Sequence, residues 1–233
     1  MSDPVLLPVN EIFGPTIQGE GFVIGRRSMF VRFAYCDYQC TWCDTKYSWV
    51  PELMTFERMT PDQIVEHLVS RSRCRWITLT GGNPAIHNLA PLLSALKDRP
   101  DPYHVNLETQ GSIARDWFAL CDLVTLSPKP PSSGMPTDWE KLASCIALAH
   151  NAVLKIVVLD WADYEFARQV HRRYPHLPLA LQVCSEVGQD NAQTLLAKCQ
   201  ALAERVLRND AEWGDVLVLP QLHVLLWGNR RGV

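Results

Sequence analysis

Three of the eight cysteines lie close together, at Cys36, Cys40 and Cys43, in a C-x-x-x-C-x-x-C arrangement. Thiolates bind both zinc and iron–sulfur clusters. A structural zinc site is closed by four protein ligands, whereas a four-iron cluster on three thiolates leaves one iron for a substrate or cofactor. No fourth cysteine is near, and the nearest histidines are His67 and His87. The spacing therefore predicts a metal or cluster site and favours iron–sulfur over zinc.

The other five cysteines are scattered along the chain, at Cys74, Cys121, Cys145, Cys184 and Cys199. The opening MSDPVLLPVNEIFGP lacks the basic start and apolar run of a signal peptide. No stretch approaches the roughly 20 apolar residues that cross a bilayer. We therefore expect a cytoplasmic protein without a membrane partner, whose scattered cysteines are reduced and act as small buried hydrophobes.

Composition is that of a globular protein, with 47% hydrophobic and 20% charged residues. The length of 233 residues is enough for one large domain or for two small ones, and we expect a single domain over residues 1–233. Lys and Arg number 22 against 25 Asp and Glu, a formal charge of −3. This balance provides no electrostatic footprint for nucleic acid, so a small-molecule partner is expected.

Short apolar runs rich in β-branched residues predict six strands. They cover Met29 to Ala34, Trp76 to Leu79, His104 to Glu108, Leu123 to Leu126, Ala152 to Leu159 and Leu179 to Val183. Helical patterns fall between most of them, the first with a capping box at Thr60-Pro61-Asp62-Gln63. Further helices are predicted over Leu89 to Lys97, Trp139 to His150, Tyr164 to Tyr174 and Asn191 to Leu207, with a short one at Asp116 to Leu120.

This alternation predicts an α/β fold with parallel strands. Six strands suit either an open doubly wound sheet or an incomplete (β/α) barrel, and periodicity does not choose between them. Both architectures bind ligands beyond the carboxyl ends of the strands. Unusual residues do follow the strands, at Cys36, Thr80 to Pro84, Glu108 to Gly111, Ser127 to Pro131 and Gln182. The site is therefore expected at this edge of the sheet.

The segment CDYQCTWC, residues 36–43, resembles the cluster motif of radical S-adenosylmethionine (SAM) enzymes. A closer resemblance covers nearly the whole chain. The opening EIFGPTIQGEG, the CDT step, the SPKPPSS loop and the endings LPQLH and WGNRRGV are similar to the 7-carboxy-7-deazaguanine synthase family. The resemblance implies a radical-SAM-like incomplete parallel (β/α) barrel of about six strands. It also implies a lyase that converts 6-carboxy-5,6,7,8-tetrahydropterin into 7-carboxy-7-deazaguanine plus ammonia, in queuosine and deazapurine biosynthesis.

The resemblance implies two cofactors, a [4Fe–4S] cluster on Cys36, Cys40 and Cys43, and SAM bound at the free iron. The radical formed from SAM would take hydrogen from C6 of the pterin before the ring contracts. SAM is expected to bind Trp42, Gly82, Asn83, Ser127, Lys129 and Gln182, with weaker expectations for Glu108 and Thr109. The superfamily often has Glu at the position of Asn83. An amide oxygen accepts a weaker hydrogen bond from the SAM ammonium than a carboxylate does.

Magnesium is a third group that the resemblance implies, with the Thr45 hydroxyl as a ligand beside oxygens of the substrate. Taken from the residues alone, Thr45 would bond its own backbone and Asp44 would be the better metal ligand.

Substrate binding is expected from Ile17, Gln18, Gly19, Glu20, Arg32, Thr80, His223 and Val233. Arg32 lies in an apolar run, where an unpaired charge is costly, so a buried partner or an anionic ligand is predicted. Glu20 is expected to accept from N–H groups of the pterin. The resemblance places the carboxylate of the C-terminal residue, Val233, at the substrate.

Two other functions share parts of this pattern. A glycyl-radical activating enzyme has the same cysteine spacing but acts on a protein and often carries further clusters, which the scattered cysteines do not form. A zinc-stabilised RNA-binding module is disfavoured by the net acidity, although RSRCR at 71–75 is basic. The resemblance further implies a homodimer and an electron donor such as a flavodoxin or ferredoxin.

Overall fold

A single mixed sheet organises the computed structural model, which describes residues 5–233 apart from the side chain at position 210. Its strands are β1 (Leu7–Ile17), β2 (Arg27–Phe33), β3 (Glu57–Met59), β4 (Trp76–Gly81), β5 (His104–Thr109), β6 (Leu123–Leu126), β7 (Ala152–Val158), β8 (Leu179–Val183) and β9 (Leu217–Leu219). Within the described residues their order is β3-β1-β2-β4-β5-β6-β7-β8-β9.

The six predicted strands are confirmed as β2 and β4 to β8, and each pairs in parallel with the next. Their spatial order follows their order in the chain. A doubly wound sheet reverses its strand order at a switch point, and this one does not. Because crossovers between parallel strands are right-handed, an unreversed order carries the intervening helices to the same face. The sheet is thus an incomplete barrel, open between its edge strands β3 and β9.

The helices are α1 (Pro61–Arg71), α2 (Ala90–Lys97), α3 (Trp139–Leu148), α4 (Trp161–Arg173), α5 (Ala192–Arg208), α6 (Asp210–Trp213) and α7 (Leu222–Trp227). The predicted capping box begins α1, because Thr60 Oγ1 accepts from Gln63 N at 3.3 Å and Gln63 Oε1 accepts from Thr60 N at 2.8 Å. The short helix at Asp116–Leu120 is a 3₁₀ helix.

The core lies between the sheet and these helices. Ile64, Val65 and Leu68 on α1 are buried on one face, as their spacing predicts. Val105 and Leu107 on β5 are fully buried in the same core. Burying such a side chain contributes roughly 1.5–3 kcal/mol to folding.

Strands β1, β3 and β9 were not among the predicted elements. β1 pairs antiparallel with β2 and β3, and its register with β2 shifts between Val9 and Glu11 and again between Phe13 and Thr16. Such irregularities break the alternation that identifies a strand in sequence. Through its pairing with β2, the segment from Val9 to Ile17 runs alongside the strand that leads into the cysteine motif.

None of the helices in the described part of the chain has both the length and the apolar character to traverse a lipid bilayer.

Candidate active site

One pocket opens at the carboxyl ends of the parallel strands and encloses about 1320 Å³, its solvent-filled mouth included. Residues from almost every strand end contribute to its wall. Of the predicted site residues, those that line it are Ile17, Gln18, Gly19, Glu20, Arg32, Cys36, Cys40, Trp42, Cys43, Thr45, Thr80, Gly82, Ser127, Lys129, His223 and Val233. Asn83 and Gln182 lie behind the wall.

The cysteine loop leaves β2 and is held on both sides. Tyr35, at the positive φ of 75°, donates its N–H to Ser48 O at 2.8 Å and accepts from Asn83 N at 2.8 Å. On the other side, Thr41 donates its N–H to Ser133 O at 3.0 Å and its hydroxyl to Ser132 O at 2.7 Å. The loop is therefore shaped by contacts that do not depend on a bound metal.

The three cysteines fit a cluster better than a single zinc ion. All three are free thiols on the pocket wall. Sulfurs bound to one zinc lie about 2.3 Å from it, so they are at most about 4.6 Å apart. Among the described residues, Glu20, Asp44 and His223 form a group whose ligand atoms all lie within 4.8 Å of one another, and the three cysteine sulfurs do not form such a group. At least two of the sulfurs are therefore too far apart to bind one zinc ion together. This wider spacing suits thiolates bound to different irons.

Hydrogen-bond donors point at two of these sulfurs. Trp49 Nε1 lies 3.3 Å from Cys43 Sγ, and Tyr38 N lies 3.4 Å from Cys36 Sγ. Burial raises the pKa of Cys36 to about 11, although the Tyr38 N–H opposes the increase. Because metal binding requires the thiolate, loading this site releases protons.

Gly81 and Gly82 pack directly against the start of the cysteine loop. A Cβ on Gly82 would lie 2.1 Å from Tyr35 O, and one on Gly81 would lie 2.2 Å from Phe33 O. Gly81 also has φ +147°. The absence of side chains is thus required for β4 and the loop to approach each other, and it leaves the Gly82 backbone on the pocket wall.

Asn83 is fully buried, and both atoms of its amide are bonded within the protein. Its Oδ1 accepts from Ala85 N at 3.1 Å and from Thr109 Oγ1 at 2.8 Å. Its Nδ2 donates to Asp37 Oδ1 at 2.8 Å and to Ser112 Oγ at 3.1 Å. The side chain therefore ties β4 to the cysteine loop, and its oxygen accepts two hydrogen bonds from within the protein.

Gln182 is also a buried tie. Its Oε1 accepts from Gly21 N at 3.3 Å, and its Nε2 donates to Leu219 O at 3.2 Å. These bonds join β8 to the segment that carries Glu20 and to β9.

The structure brings Trp42, Ser127 and Lys129 together. The Lys129 ammonium lies 5.7 Å from the centre of the Trp42 ring and 3.4 Å from Ser127 Oγ. Trp42 Nε1 donates to Ser132 Oγ at 2.9 Å. A cation, a hydroxyl and an aromatic face therefore share one part of the wall, next to Cys43.

Lys155 is a pocket residue that the sequence analysis missed. Its ammonium, on β7, lies 2.7 Å from Glu20 Oε2 and 2.8 Å from Glu108 Oε2, and Gln221 Nε2 donates to Glu20 Oε1 at 2.6 Å. Burial alone would raise the pKa of Glu20, but the charges of Lys155 and His223 lower it to about 2. The same two carboxylates raise the pKa of Lys155 against the effect of burial. A lysine in the apolar run of residues 152–158 was the available sequence signal.

Arg32 has the buried partner that its position predicts. Its Nε lies 2.7 Å from Glu11 Oε1, and the two side chains are 13% and 15% exposed. Arg231 reaches the other oxygen of Glu11 at 2.9 Å and lies over the Tyr47 ring. Two guanidinium groups thus share one carboxylate, and the pocket-lining carboxylate of Asp44 also acts on Arg32.

Oxygen ligands for a cation are present near the cysteines. Asp44 and Thr45 follow Cys43 and line the pocket, and Asp44 belongs to the close group with Glu20 and His223. Gly19 packs so closely on His223 that a Cβ there would lie 2.1 Å from its Nδ1. Of these groups, the oxygens of Asp44 and Thr45 are of the kind that a hard cation such as Mg²⁺ prefers.

Comparisons with known proteins agree with this geometry. A model of the 4Fe-4S single cluster domain matches residues 17–105. A protein of Bacillus subtilis named 7-carboxy-7-deazaguanine synthase is 44% identical over 97% of this chain and 98% of its own length. One of that name from Pyrobaculum aerophilum is 30% identical over 100% of both chains.

Solved structures share the fold. QueE from Escherichia coli superposes with a TM-score of 0.70 at 23% identity, over 94% of this chain and 95% of its own. Streptococcus suis SuiB bound to S-adenosylmethionine superposes with a TM-score of 0.56 at 13% identity, over 84% of this chain and 53% of its own.

Proposed function

The chain belongs to the 7-carboxy-7-deazaguanine synthase family, and on that premise we propose that its pocket converts 6-carboxy-5,6,7,8-tetrahydropterin into 7-carboxy-7-deazaguanine and ammonia. It is a radical SAM lyase with a 4Fe-4S domain. The observation that carries the assignment of the pocket is that the three-cysteine loop and the Glu20–Lys155–Glu108 group line the same cavity.

Cys36, Cys40 and Cys43 would hold the cluster. A bound cluster would supply an electron to SAM at the iron that has no protein ligand. The cleavage of SAM that follows would provide the radical that starts the reaction. The contribution of the chain is to keep the three thiols in a loop whose backbone is already fixed through Tyr35 and Thr41.

The wall next to this loop suits the polar end of SAM. Lys129 offers a cation for its carboxylate, Ser127 offers a hydroxyl, and the Gly82 backbone is accessible because it has no side chain. Asn83 contributes indirectly in this proposal, by tying the Gly82 turn to Asp37 next to Cys36. Gln182 likewise supports the wall through Gly21 and Leu219.

The pterin would be bound between two charged groups. Glu20 stays ionised at neutral pH because its pKa is about 2, and a carboxylate accepts hydrogen bonds from the N–H groups of the ring. The guanidinium of Arg32, which lines the pocket, suits the carboxylate of the substrate. Ile17, Gln18, Gly19, Thr80, His223 and Val233 complete the wall.

A Mg²⁺ ion is part of the proposal, with Thr45 as its protein ligand and oxygens of the substrate as the others. Asp44 competes for that role, since it belongs to the close group of ligand atoms. Replacing Thr45 with Val should abolish stimulation of turnover by Mg²⁺, and Ser should restore it. If Asp44→Asn abolishes the stimulation and Thr45→Val does not, the ion is bound by Asp44.

A flavodoxin or ferredoxin as reductant, a homodimeric assembly and a cytoplasmic location are further proposals that rest on the family. Sedimentation of the anaerobic, cluster-loaded protein tests the dimer. Turnover with each reduced donor, compared with dithionite, tests the electron source.

The reaction itself is tested by anaerobic incubation of the reconstituted protein with SAM, a reductant and the carboxypterin. The expected products are 7-carboxy-7-deazaguanine and one ammonia per turnover, identified by mass spectrometry and an ammonia assay. Cleavage of SAM without conversion of the pterin would contradict the proposed substrate and would indicate a radical SAM enzyme that acts on a different one.

A further inference from the structure

The indole of Trp49 is bonded to one of the three cysteines, with Nε1 3.3 Å from Cys43 Sγ. Indole N–H is a donor only, so the sulfur accepts. We propose that Trp49 is a positioning residue that raises the reduction potential of the cluster through this hydrogen bond. The inference rests on the proposed function, because it requires Cys43 to be a cluster ligand.

The fold holds this donor in place. Directly before Trp49, a 3₁₀ turn is closed by Ser48, whose N–H and hydroxyl both donate to Thr45 O at 2.8 Å. Ser48 is fully buried, and its carbonyl accepts from Tyr35 N at 2.8 Å. The turn thus brings Trp49 back to Cys43. It is held in place by Tyr35, the residue that precedes Cys36.

Other side-chain donors near the cysteines are farther from the sulfurs or have oxygen partners. The Thr45 hydroxyl lies 3.6 Å from Cys43 Sγ, farther than the indole of Trp49. Trp42 Nε1 donates to Ser132 Oγ at 2.9 Å. Gln110 Nε2 lies 3.7 Å from Cys36 Sγ but is only 2.6 Å from Asp37 Oδ1, which is the stronger acceptor. Trp49 therefore provides the short side-chain N–H···S contact, and Trp42 provides a neighbouring indole with an oxygen partner.

The direction of the effect follows from charge. One-electron reduction makes the cluster and its thiolates more negative, so an N–H dipole aimed at a ligand sulfur stabilises the reduced form more than the oxidised form. Removing that N–H shifts the potential to a more negative value. At a fixed solution potential, a smaller fraction of the protein is then reduced.

The test is a redox titration of Trp49→Phe, which keeps an aromatic ring and removes the donor. The full chain is loaded with cluster anaerobically, matched to the parent in iron and sulfide, and titrated by electron paramagnetic resonance without SAM. We expect the ratio of reduced to oxidised cluster at fixed potential to fall about tenfold, a shift of ~59 mV for a one-electron couple. The matched control Trp42→Phe should show no shift. Equal midpoints for Trp49→Phe and the parent, or equal shifts in both variants, would overturn the proposal.

A second measurement does not depend on Trp49→Phe assembling its cluster. Protein with ¹⁵N-labelled tryptophan and the Trp42→Phe change is reduced, and pulsed resonance is used to detect ¹⁵N coupled to the cluster. A coupled indole nitrogen supports the hydrogen bond from Trp49, and its absence overturns it. Absence of any four-iron signal in the parent would contradict the proposed function itself. A four-iron signal without a coupled indole nitrogen would contradict only the hydrogen bond from Trp49, so the two failures are distinguishable.

Discussion

Arg231 lies 2.9 Å from Glu11, which joins the last residues of the chain to β1. Glu11 is the same carboxylate that pairs with Arg32 on the pocket wall. The position of Val233 on the pocket wall therefore depends on an ion pair whose arginine is 48% exposed.

Replacing Arg231 with Ala should raise KM for the pterin and leave kcat largely unchanged, because the change loosens a binding segment. An ion pair with one half-exposed partner contributes about 1 kcal/mol, which corresponds to about a fivefold change. The neighbouring Arg230 is also exposed, and Arg230→Ala is the matched control. Steady-state kinetics measure KM and kcat for both variants. Equal KM values for Arg231→Ala and Arg230→Ala would contradict the role of Arg231 in anchoring the segment that ends at Val233.

Lys155→Met should destabilise the protein strongly. It leaves Glu20 and Glu108 buried side by side without their cation, and breaking a buried pair costs about 3–5 kcal/mol. Lys141→Met is the control, since that lysine is 62% exposed and lies 3.6 Å from Asp138. The free energy of unfolding in urea is the measurement. Equal losses in the two variants would show that the buried group does not stabilise the fold.

Substrate affinity should be nearly independent of pH between about 5.5 and 8 as far as Glu20 is concerned. Its pKa is lowered from 4.5 to about 2, so it stays ionised throughout this range. In Lys155→Met the effect of burial is no longer opposed by that charge, so the pKa rises and binding weakens as the pH falls. Anaerobic calorimetry with the pterin measures this, and a flat profile in the variant would contradict the role of Lys155.

Cys36→Ala, Cys40→Ala and Cys43→Ala should each abolish cluster binding and activity, because two thiolates are too few to hold four irons. Cys199→Ala, on α5 away from the pocket, should retain both. Iron, sulfide and visible absorption after anaerobic reconstitution provide the measurement. A full cluster in any of the three loop variants would remove that cysteine from the ligand set.

The central strands could be predicted because β-branched runs such as Ala152–Val158 favour a buried strand in any context. β1 could not, since its proline, glycine and bulges disguise its alternation. The choice between barrel and doubly wound sheet depends on spatial order, which local patterns do not contain.

In the site, too, local patterns could be predicted and tertiary contacts could not. The three cysteines of the loop are recognisable because their spacing is local. The Lys155 pairs join residues 135 and 47 positions apart, so only the folded chain reveals them. For Asn83, the family resemblance implied a contact with SAM, but its bonds to Asp37 and Thr109 depend on tertiary neighbours.

Lys155 offsets only one of the two carboxylates that it contacts, so the Glu20–Lys155–Glu108 group keeps one formal negative charge on the pocket wall. A ring rich in N–H groups is attracted to this side of the cavity, whereas an anionic group is repelled from it. The group therefore favours one orientation of a bound molecule before any bond is made or broken.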